Sequence, residues 1–206
     1  MREVVIHNIE NFLNDFQYFK LHGYDVFQQS FQSGSKLIVS NLTPYDDGLM
    51  LEIQLGVRLD NVEKCIFDFQ QQEPDKLSLT YWESLYQIFN NISKRSFIQN
   101  EVELSKVLAE IEVGLVKKGF NWLDEMQDVQ KLSSYIYNVI FKAPQKSSNI
   151  FKLCQRSYLI RNFLGEQISD ATFYKYYEQM QLLKVPMHQL EEFIAFKNYL
   201  KAYLLK

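Results

Sequence analysis

An uninterrupted alternation of apolar and mostly polar residues between Leu49 and Leu59 constrains the fold of this chain more than any other feature. Successive side chains of a β-strand point to opposite faces of a sheet, so this pattern predicts a strand with one buried face and one wetter face. About ten residues at roughly 3.3 Å each are enough for a strand in the middle of a sheet. The apolar positions are Leu49, Leu51, Ile53, Leu55, Val57 and Leu59.

Turn-forming residues divide the sequence before this strand into two shorter predicted strands. Residues 24–31 and 36–40 form these strands, and Ser33-Gly34-Ser35 between them predicts a turn. Residues 43–48 contain Pro44, two aspartates and a glycine, a composition that is typical of a loop. We therefore expect an antiparallel meander of three strands.

Helical periodicity precedes and follows this meander. Apolar residues at three- and four-residue spacing predict a first helix over residues 2–21, which Gly23 would end, and another over residues 60–71. From Asn100 onward the pattern is helical throughout. It predicts five helices, over residues 100–119, 121–141, 148–164 (capped by Ser148), 169–184 (capped by Ser169) and from Pro186 onward.

Strands that come early and helices that come late predict an α+β fold rather than an alternating α/β fold. We expect an antiparallel sheet of three to five strands in the N-terminal half, with residues 78–82 and 95–99 as candidates for the additional strands. Pro144 and the serines that follow it break the helical pattern. The sequence therefore predicts an α+β domain over residues 1–144 and an all-helical extension over residues 145–206, packed on that domain.

Charge is divided unevenly along the chain. Residues 1–141 carry 12 Lys/Arg against 20 Asp/Glu, a net charge of −8, whereas residues 142–206 carry 10 against 5, a net charge of +5. Such a division can mark a surface for nucleic acid or membrane, two mutually attracting parts, or an ordinary solvated face. With 47% hydrophobic residues, the chain has the composition of a globular protein with a sizeable core.

Cysteine usage and hydropathy predict a cytoplasmic protein. Cys65 and Cys154 are too few for a disulfide framework and occur in apolar helical contexts, so we expect buried, reduced thiols. The N-terminal residues lack the apolar run of a signal peptide. No window approaches the roughly 18 uninterrupted apolar residues of a membrane-spanning helix.

The sequence contains no recognisable catalytic, cofactor or metal motif. Its seven glycines form neither a dinucleotide-binding nor a phosphate-binding loop, and no nucleophile elbow is present. His7, His22 and His188 are far apart in the sequence and lack partners at the spacing of metal ligands. We therefore predict no catalytic residue, no cofactor and no metal.

The polar positions of the long strand are the best candidates for a binding surface. Glu52, Gln54 and Arg58 share the same parity and therefore the same face of the sheet. This face is either the solvated outer side of an antiparallel sheet or a groove that docks a ligand or a protein. With Tyr81 and Trp82, these three residues make up the predicted binding set.

Basic and aromatic residues are interleaved in the C-terminal helices, a combination that can bind single-stranded nucleic acid. Phe173, Tyr176 and Met180 recur at helical spacing, however, which favours a place in the core for several of these rings. The basic residues are sparse. They are Lys152, Arg156, Arg161, Lys175 and Lys184.

Residues 1–130 resemble small bacterial α+β domains of unknown function. The resemblance is carried by the first helix, by the meander that ends in Glu-Ile-Gln-Leu-Gly-Val-Arg, and by the later stretch Glu-Val-Gly-Leu-Val-Lys-Lys-Gly-Phe-Asn-Trp-Leu-Asp-Glu-Met. It implies a bacterial protein with no established active site to transfer. Some proteins of this kind are similar to immunity or accessory proteins, which act by binding another protein.

The sequence thus predicts a non-catalytic binding or accessory protein that acts through a protein surface. Charge steering would favour a basic partner for residues 1–141. The alternative is a small-ligand-binding protein or an enzyme, with its site between the sheet and the C-terminal helices. Nucleic-acid binding by the C-terminal helices is a third, weaker hypothesis. Candidate residues for the alternative site are Glu52, Arg58, Tyr81, Trp82 and His188.

Overall fold

A computed structural model describes residues 1–147, 149–166 and 170–203. The chain divides into two compact units, and neither is one continuous segment. Unit 1 comprises Met1–Asp60 and Tyr81–Gln127, and unit 2 comprises Asn61–Thr80 and Asp128–Lys206. The division into an α+β domain over residues 1–144 and a helical extension over residues 145–206 packed on it stays a prediction.

Unit 1 is built on an antiparallel sheet, which confirms the predicted α+β class. Its strands follow one another in chain order from β1 to β5, and β6 pairs with β4 beside β5. The long alternating strand is confirmed as β4, with its apolar positions buried. The six strands found among the described residues are β1 (Phe19–Lys20), β2 (Val26–Phe31), β3 (Gly34–Tyr45), β4 (Gly48–Leu59), β5 (Tyr81–Ser84) and β6 (Ser96–Ile98).

The first helix, α1 (Arg2–Asn14), ends earlier than predicted. Gln17 adopts a positive φ of 63°, and the Tyr18 amide donates to the Leu13 carbonyl at 3.1 Å, a bond that closes the helix end. The prediction of a helix as far as residue 21 is therefore wrong. The chain leaves the helix early enough for β1 to join the sheet.

The remaining helices of unit 1 pack on one face of the sheet. They are α3 (Leu85–Ile88), α4 (Glu101–Gly114), a π-helical turn (Leu115–Gly119) and α5 (Phe120–Met126). The prediction that a helix stops at Gly119 is wrong, because the helical path continues through it. A Cβ atom at this position would lie 3.1 Å from a methyl carbon of Leu55, so glycine allows the helix to approach β4 closely. Lys36 of β3 pairs with Asp124 of α5 at 2.6 Å.

Unit 2 is helical, which confirms the predicted C-terminal helical stretch. The prediction of one helix over residues 121–141 is wrong, because the chain forms two helices there. Asp128 accepts hydrogen bonds from the Gln130 and Lys131 amides and so begins the second helix. Ser148 and Ser169, the predicted caps, lie outside the described residues. The elements of unit 2 are α2 (Asp60–Gln70, whose first residue belongs to unit 1), α6 (Val129–Lys142), a 3₁₀ turn (Pro144–Lys146), α7 (Ile150–Phe163), α8 (Asp170–Leu182) and α9 (Met187–Tyr203).

Candidate binding edge and polar groove

Strand β3 extends beyond its neighbour β2, and this leaves part of its edge open. Pairing with β2 covers only residues 34–39 of β3, whereas pairing with β4 continues as far as Tyr45. The prediction that residues 43–48 form a loop is wrong for residues 43–45 and for Gly48, because only Asp46 and Asp47 form the turn. Residues 41–45 of β3 therefore have one strand neighbour instead of two in the described part of the chain. We call this segment the β3 edge.

The backbone of the β3 edge presents hydrogen-bonding groups outward. The Ser40 amide donates to the Asp25 carbonyl at 2.9 Å, away from β4. Because backbone groups alternate in direction along an antiparallel strand, the N–H and C=O of Leu42 and the C=O of Pro44 point the same way. Pro44 has no amide hydrogen, so Leu42 carries the one outward N–H of this five-residue segment.

A shallow groove of about 330 Å³ lies on the sheet face beside the β3 edge. Alternate side chains of β3 and β4 form its floor, since paired residues of an antiparallel ladder project to the same face. Arg95 donates to the Glu52 carboxylate, with 3.0 Å between Nε and Oε2, and is itself 63% exposed. The groove is lined by Asn41, Thr43, Tyr45, Met50, Glu52, Gln54 and Arg95. We call it the polar groove.

The structure brings part of the predicted binding set together. Glu52 and Gln54 lie in the polar groove. Arg58 lies at the other end of β4, where its Nε donates to Asp60 Oδ1 at 2.9 Å. Trp82 pairs with a glycine of β4, so it shares the face of Glu52 and remains 40% exposed. Their roles in binding stay predictions.

Tyr81 lies apart from this group. It is one residue from Trp82 on β5 and therefore projects to the opposite face of the sheet, where it is buried. Its hydroxyl donates to Glu83 Oε1 at 2.6 Å. His188, the remaining candidate of the alternative site, is exposed at the start of α9 in unit 2.

Sequence reasoning missed the contribution of β3 and of Arg95 to the groove. Asn41, Thr43 and Tyr45 occupy alternate positions, a period-two signal that the turn-forming composition around Pro44 concealed. Arg95 reaches Glu52 because β6 pairs with β4 across about forty residues of sequence. No local pattern indicates such a contact.

Unit 2 contains a buried ion pair between Arg156 and Glu63. Arg156 donates to Glu63 through Nε at 2.9 Å and through Nη2 at 2.6 Å. The hydroxyls of Ser78 and Thr80 donate to the same carboxylate. Burial by itself raises the pKa of Glu63, but the charge of Arg156 and these hydrogen bonds outweigh it and hold the pKa below its ordinary value.

Arg156 is therefore buried within unit 2 and bonded to Glu63, while Arg161 pairs with Glu166. Phe173, Tyr176 and Met180 are buried, as their helical spacing predicts. The described residues hold no group of three or more His, Cys, Asp or Glu that could bind a metal ion. No helix within the described ranges is long and apolar enough to cross a membrane.

Comparisons of the chain with protein-family models, with curated proteins and with solved structures found no match.

Proposed function

We propose that this protein is a binding or accessory module that takes up an extended, basic segment of a partner protein along the β3 edge. The observation that carries the proposal is the length of β3, which leaves residues 41–45 without a second strand neighbour among the described residues. A backbone carbonyl of an added strand would accept a hydrogen bond from the Leu42 N–H. Amides of that strand would donate hydrogen bonds to the outward carbonyls of Leu42 and Pro44. Strand addition of this kind gives affinity through the backbone and specificity through side chains.

The charge of unit 1 favours a basic segment. Its residues carry 9 Lys/Arg against 15 Asp/Glu, a net charge of −6. Asp46 and Asp47 lie at the turn where the edge ends, whereas Glu52, in the groove beside it, is already paired with Arg95. Tyr45 is 54% exposed, so its ring can contact the aliphatic portion or the cationic group of a lysine or arginine side chain. Acidic groups in this arrangement steer and orient a positively charged partner.

Pro44 restricts how the partner pairs. Proline on an edge strand blocks extended pairing, which protects a sheet from joining further strands without control. Here it leaves the Leu42 N–H as the donor that fixes the register of the incoming strand. We propose a short bound segment in one register, acting in the bacterial cytoplasm, where reducing conditions suit the two free thiols.

Synthetic peptides test this proposal. Eight-residue peptides that alternate Arg or Lys with Val or Thr carry the expected charge and extended conformation, and matched peptides with Glu at the charged positions serve as the comparison. We expect fluorescence polarisation to detect binding of the basic peptides alone. If no basic peptide binds, or if the acidic set binds equally well, the proposal is wrong.

Two substitutions of one residue separate strand addition from general charge attraction. Leu42→Pro removes the outward amide hydrogen, and we expect at least a roughly tenfold loss of affinity, the equivalent of about 1.4 kcal/mol. Leu42→Ala keeps the amide and should keep most of the affinity. Neither change alters the net charge. Equal affinity of the folded Pro and Ala variants would contradict pairing along the β3 edge.

A further inference from the structure

Unit 2 contains a cleft that the proposed function does not use. Its volume is about 300 Å³, within the lower range of small-molecule sites. One wall comes from α7 and the other from the C-terminal part of α2 and the segment that follows it. Its polar lining includes Lys152, Gln155 and Arg156 of α7 and Glu73 and Asp75 of the segment after α2.

Gln155 is the group in this cleft that points to a ligand. Its residue is only 1% exposed, yet neither its amide nitrogen nor its amide oxygen has a hydrogen-bond partner in the described part of the chain. A buried polar group without a partner destabilises a fold, and such groups are rare in proteins. A carboxamide offers a donor and an acceptor side by side, which matches the N–H and C=O of another amide.

Charged groups of both signs accompany this amide. Arg156 uses Nε and Nη2 on Glu63 and Ser78, and Nη1 makes no hydrogen bond to the described residues. Lys152, one turn earlier on α7, is exposed and also lacks an ion pair with them. Glu73 and Asp75 supply carboxylates from the other wall. The cleft thus combines two cationic side chains and an amide on α7 with two carboxylates on the opposite wall.

We propose that this cleft binds a small zwitterion of dipeptide size that carries an amide. The ligand carboxylate binds Arg156 Nη1 and the Lys152 ammonium, its ammonium group binds Glu73, and its peptide amide pairs with the Gln155 carboxamide. Arg156 is held in place for this task by Glu63, because the two hydrogen bonds between them fix the plane of the guanidinium group.

Glycylglycine is the probe for this site, since it has one ammonium group, one amide and one carboxylate. We expect calorimetry on the full chain to detect binding, and millimolar glycylglycine to raise the melting temperature. N-acetylglycinamide keeps amide groups but has both ends capped, and it should do neither. Absence of glycylglycine binding, or equal binding of the capped compound, would overturn the proposal.

Gln155→Met tests the role of the amide, and Gln181→Met on the exposed surface of α8 is the matched control. We expect Gln155→Met to weaken glycylglycine binding at least tenfold while leaving the melting temperature of the free protein unchanged or higher, because an unpaired buried amide is removed. A purely structural glutamine would instead lower the melting temperature. Glu73→Gln, at an exposed position, provides a second test: unchanged affinity in this variant would refute recognition of the ammonium group by Glu73.

Discussion

At the scale of single residues, the contacts of Glu63 account for how a fully buried carboxylate is tolerated. Its two oxygens accept hydrogen bonds from Arg156, Ser78 and Thr80, so the charge is both paired and solvated by the protein. The free energy needed to remove two ions from water can exceed the free energy gained from their mutual attraction. Loss of one partner then leaves the other buried charge uncompensated. The energetic consequence is therefore greatest when only one partner is removed.

Arg156→Met should lower the free energy of unfolding by about 3–5 kcal/mol, because Glu63 is then buried without its countercharge. Urea denaturation measures this change. Glu166→Gln breaks the more exposed pair with Arg161 and should cost no more than about 1 kcal/mol. The double variant Glu63→Met, Arg156→Met should recover part of the loss. Similar costs for Arg156→Met and Glu166→Gln would contradict this picture of a buried pair.

The same pair makes stability depend on pH in the acid range. Because the pKa of Glu63 is lower in the folded chain than its ordinary value of 4.5, its ionised form stabilises the fold above that value. This stabilisation is lost as the pH falls below 4.5 towards the folded-state pKa. We expect urea midpoints measured from pH 7 to pH 3 to fall less steeply for Glu63→Gln than for the natural chain. Parallel curves for the two proteins would argue against the lowered pKa.

At the scale of elements, the close approach of β4 to the start of β3 depends on Gly34. A Cβ atom at this position would lie 1.8 Å from the carbonyl oxygen of Arg58, a backbone atom that cannot move aside without disrupting β4. The neighbouring strand thus approaches the start of β3 more closely than any side chain allows.

Gly34→Ala should therefore destabilise unit 1 strongly, by more than about 2 kcal/mol, whereas Gly23→Ala should cost only about 1 kcal/mol. Gly23 has a positive φ of 83° but open space around its Cα, so it isolates the conformational cost. Thermal unfolding followed by circular dichroism compares the two variants. Equal melting temperatures would show that the backbone at Gly34 shifts freely to accept a methyl group.

The elements also show how far sequence reasoning reaches. The face alternation of β4 and the apolar stripes of the helices are local patterns, and burial follows them closely. The length of β3 is not local: Pro44 and the aspartates are typical of a turn, yet pairing with Leu49 keeps Pro44 in the strand. Gln17 adopts the positive φ that follows α1, although glutamine rarely does so. A prediction that places the helix end at the nearest glycine, Gly23, is therefore wrong.

The candidate sites likewise combine residues that a local sequence pattern predicts with residues that it does not predict. Parity along one strand placed Glu52 and Gln54 on one sheet face, and the groove contains both. Arg95 and the contact between Glu63 and Arg156 join segments far apart in sequence, so no spacing rule anticipates them. Gln155 gave no signal either, because one glutamine on a helix indicates nothing about burial.

At the scale of the whole molecule, the two cysteines can report on the opening of one unit. Both cysteines lie in unit 2 and are fully buried and free, as predicted. Burial, with a smaller contribution from the charge of Asp68, raises the pKa of Cys65 to about 12, and burial raises the pKa of Cys154 as well. Neither thiol is therefore a ready nucleophile at neutral pH.

We expect an aromatic disulfide reagent at pH 8 to leave both thiols of the native chain unlabelled over minutes and to label two thiols per chain after denaturation in urea. The labelling rate in the native state then reports the opening of unit 2. Fast labelling of either thiol without urea would contradict its burial.

The charge division adds a prediction about rates. Because unit 1 carries a net charge of −6, association of a basic peptide with the β3 edge should slow as ionic strength rises, while dissociation changes less. Stopped-flow fluorescence between about 50 and 500 mM salt measures both rates. An association rate that does not respond to salt would exclude charge steering.

Amide hydrogen exchange at Leu42, followed by nuclear magnetic resonance with and without a basic peptide, tests strand addition most directly. In the free protein the Leu42 amide should exchange fast, while the amides of Asn41 and Thr43, which face β4, are protected. With the peptide bound, exchange at Leu42 should slow at least about tenfold, as expected for an amide that gains a hydrogen-bond partner. Binding that leaves the Leu42 amide in fast exchange would show that the partner segment does not pair with β3.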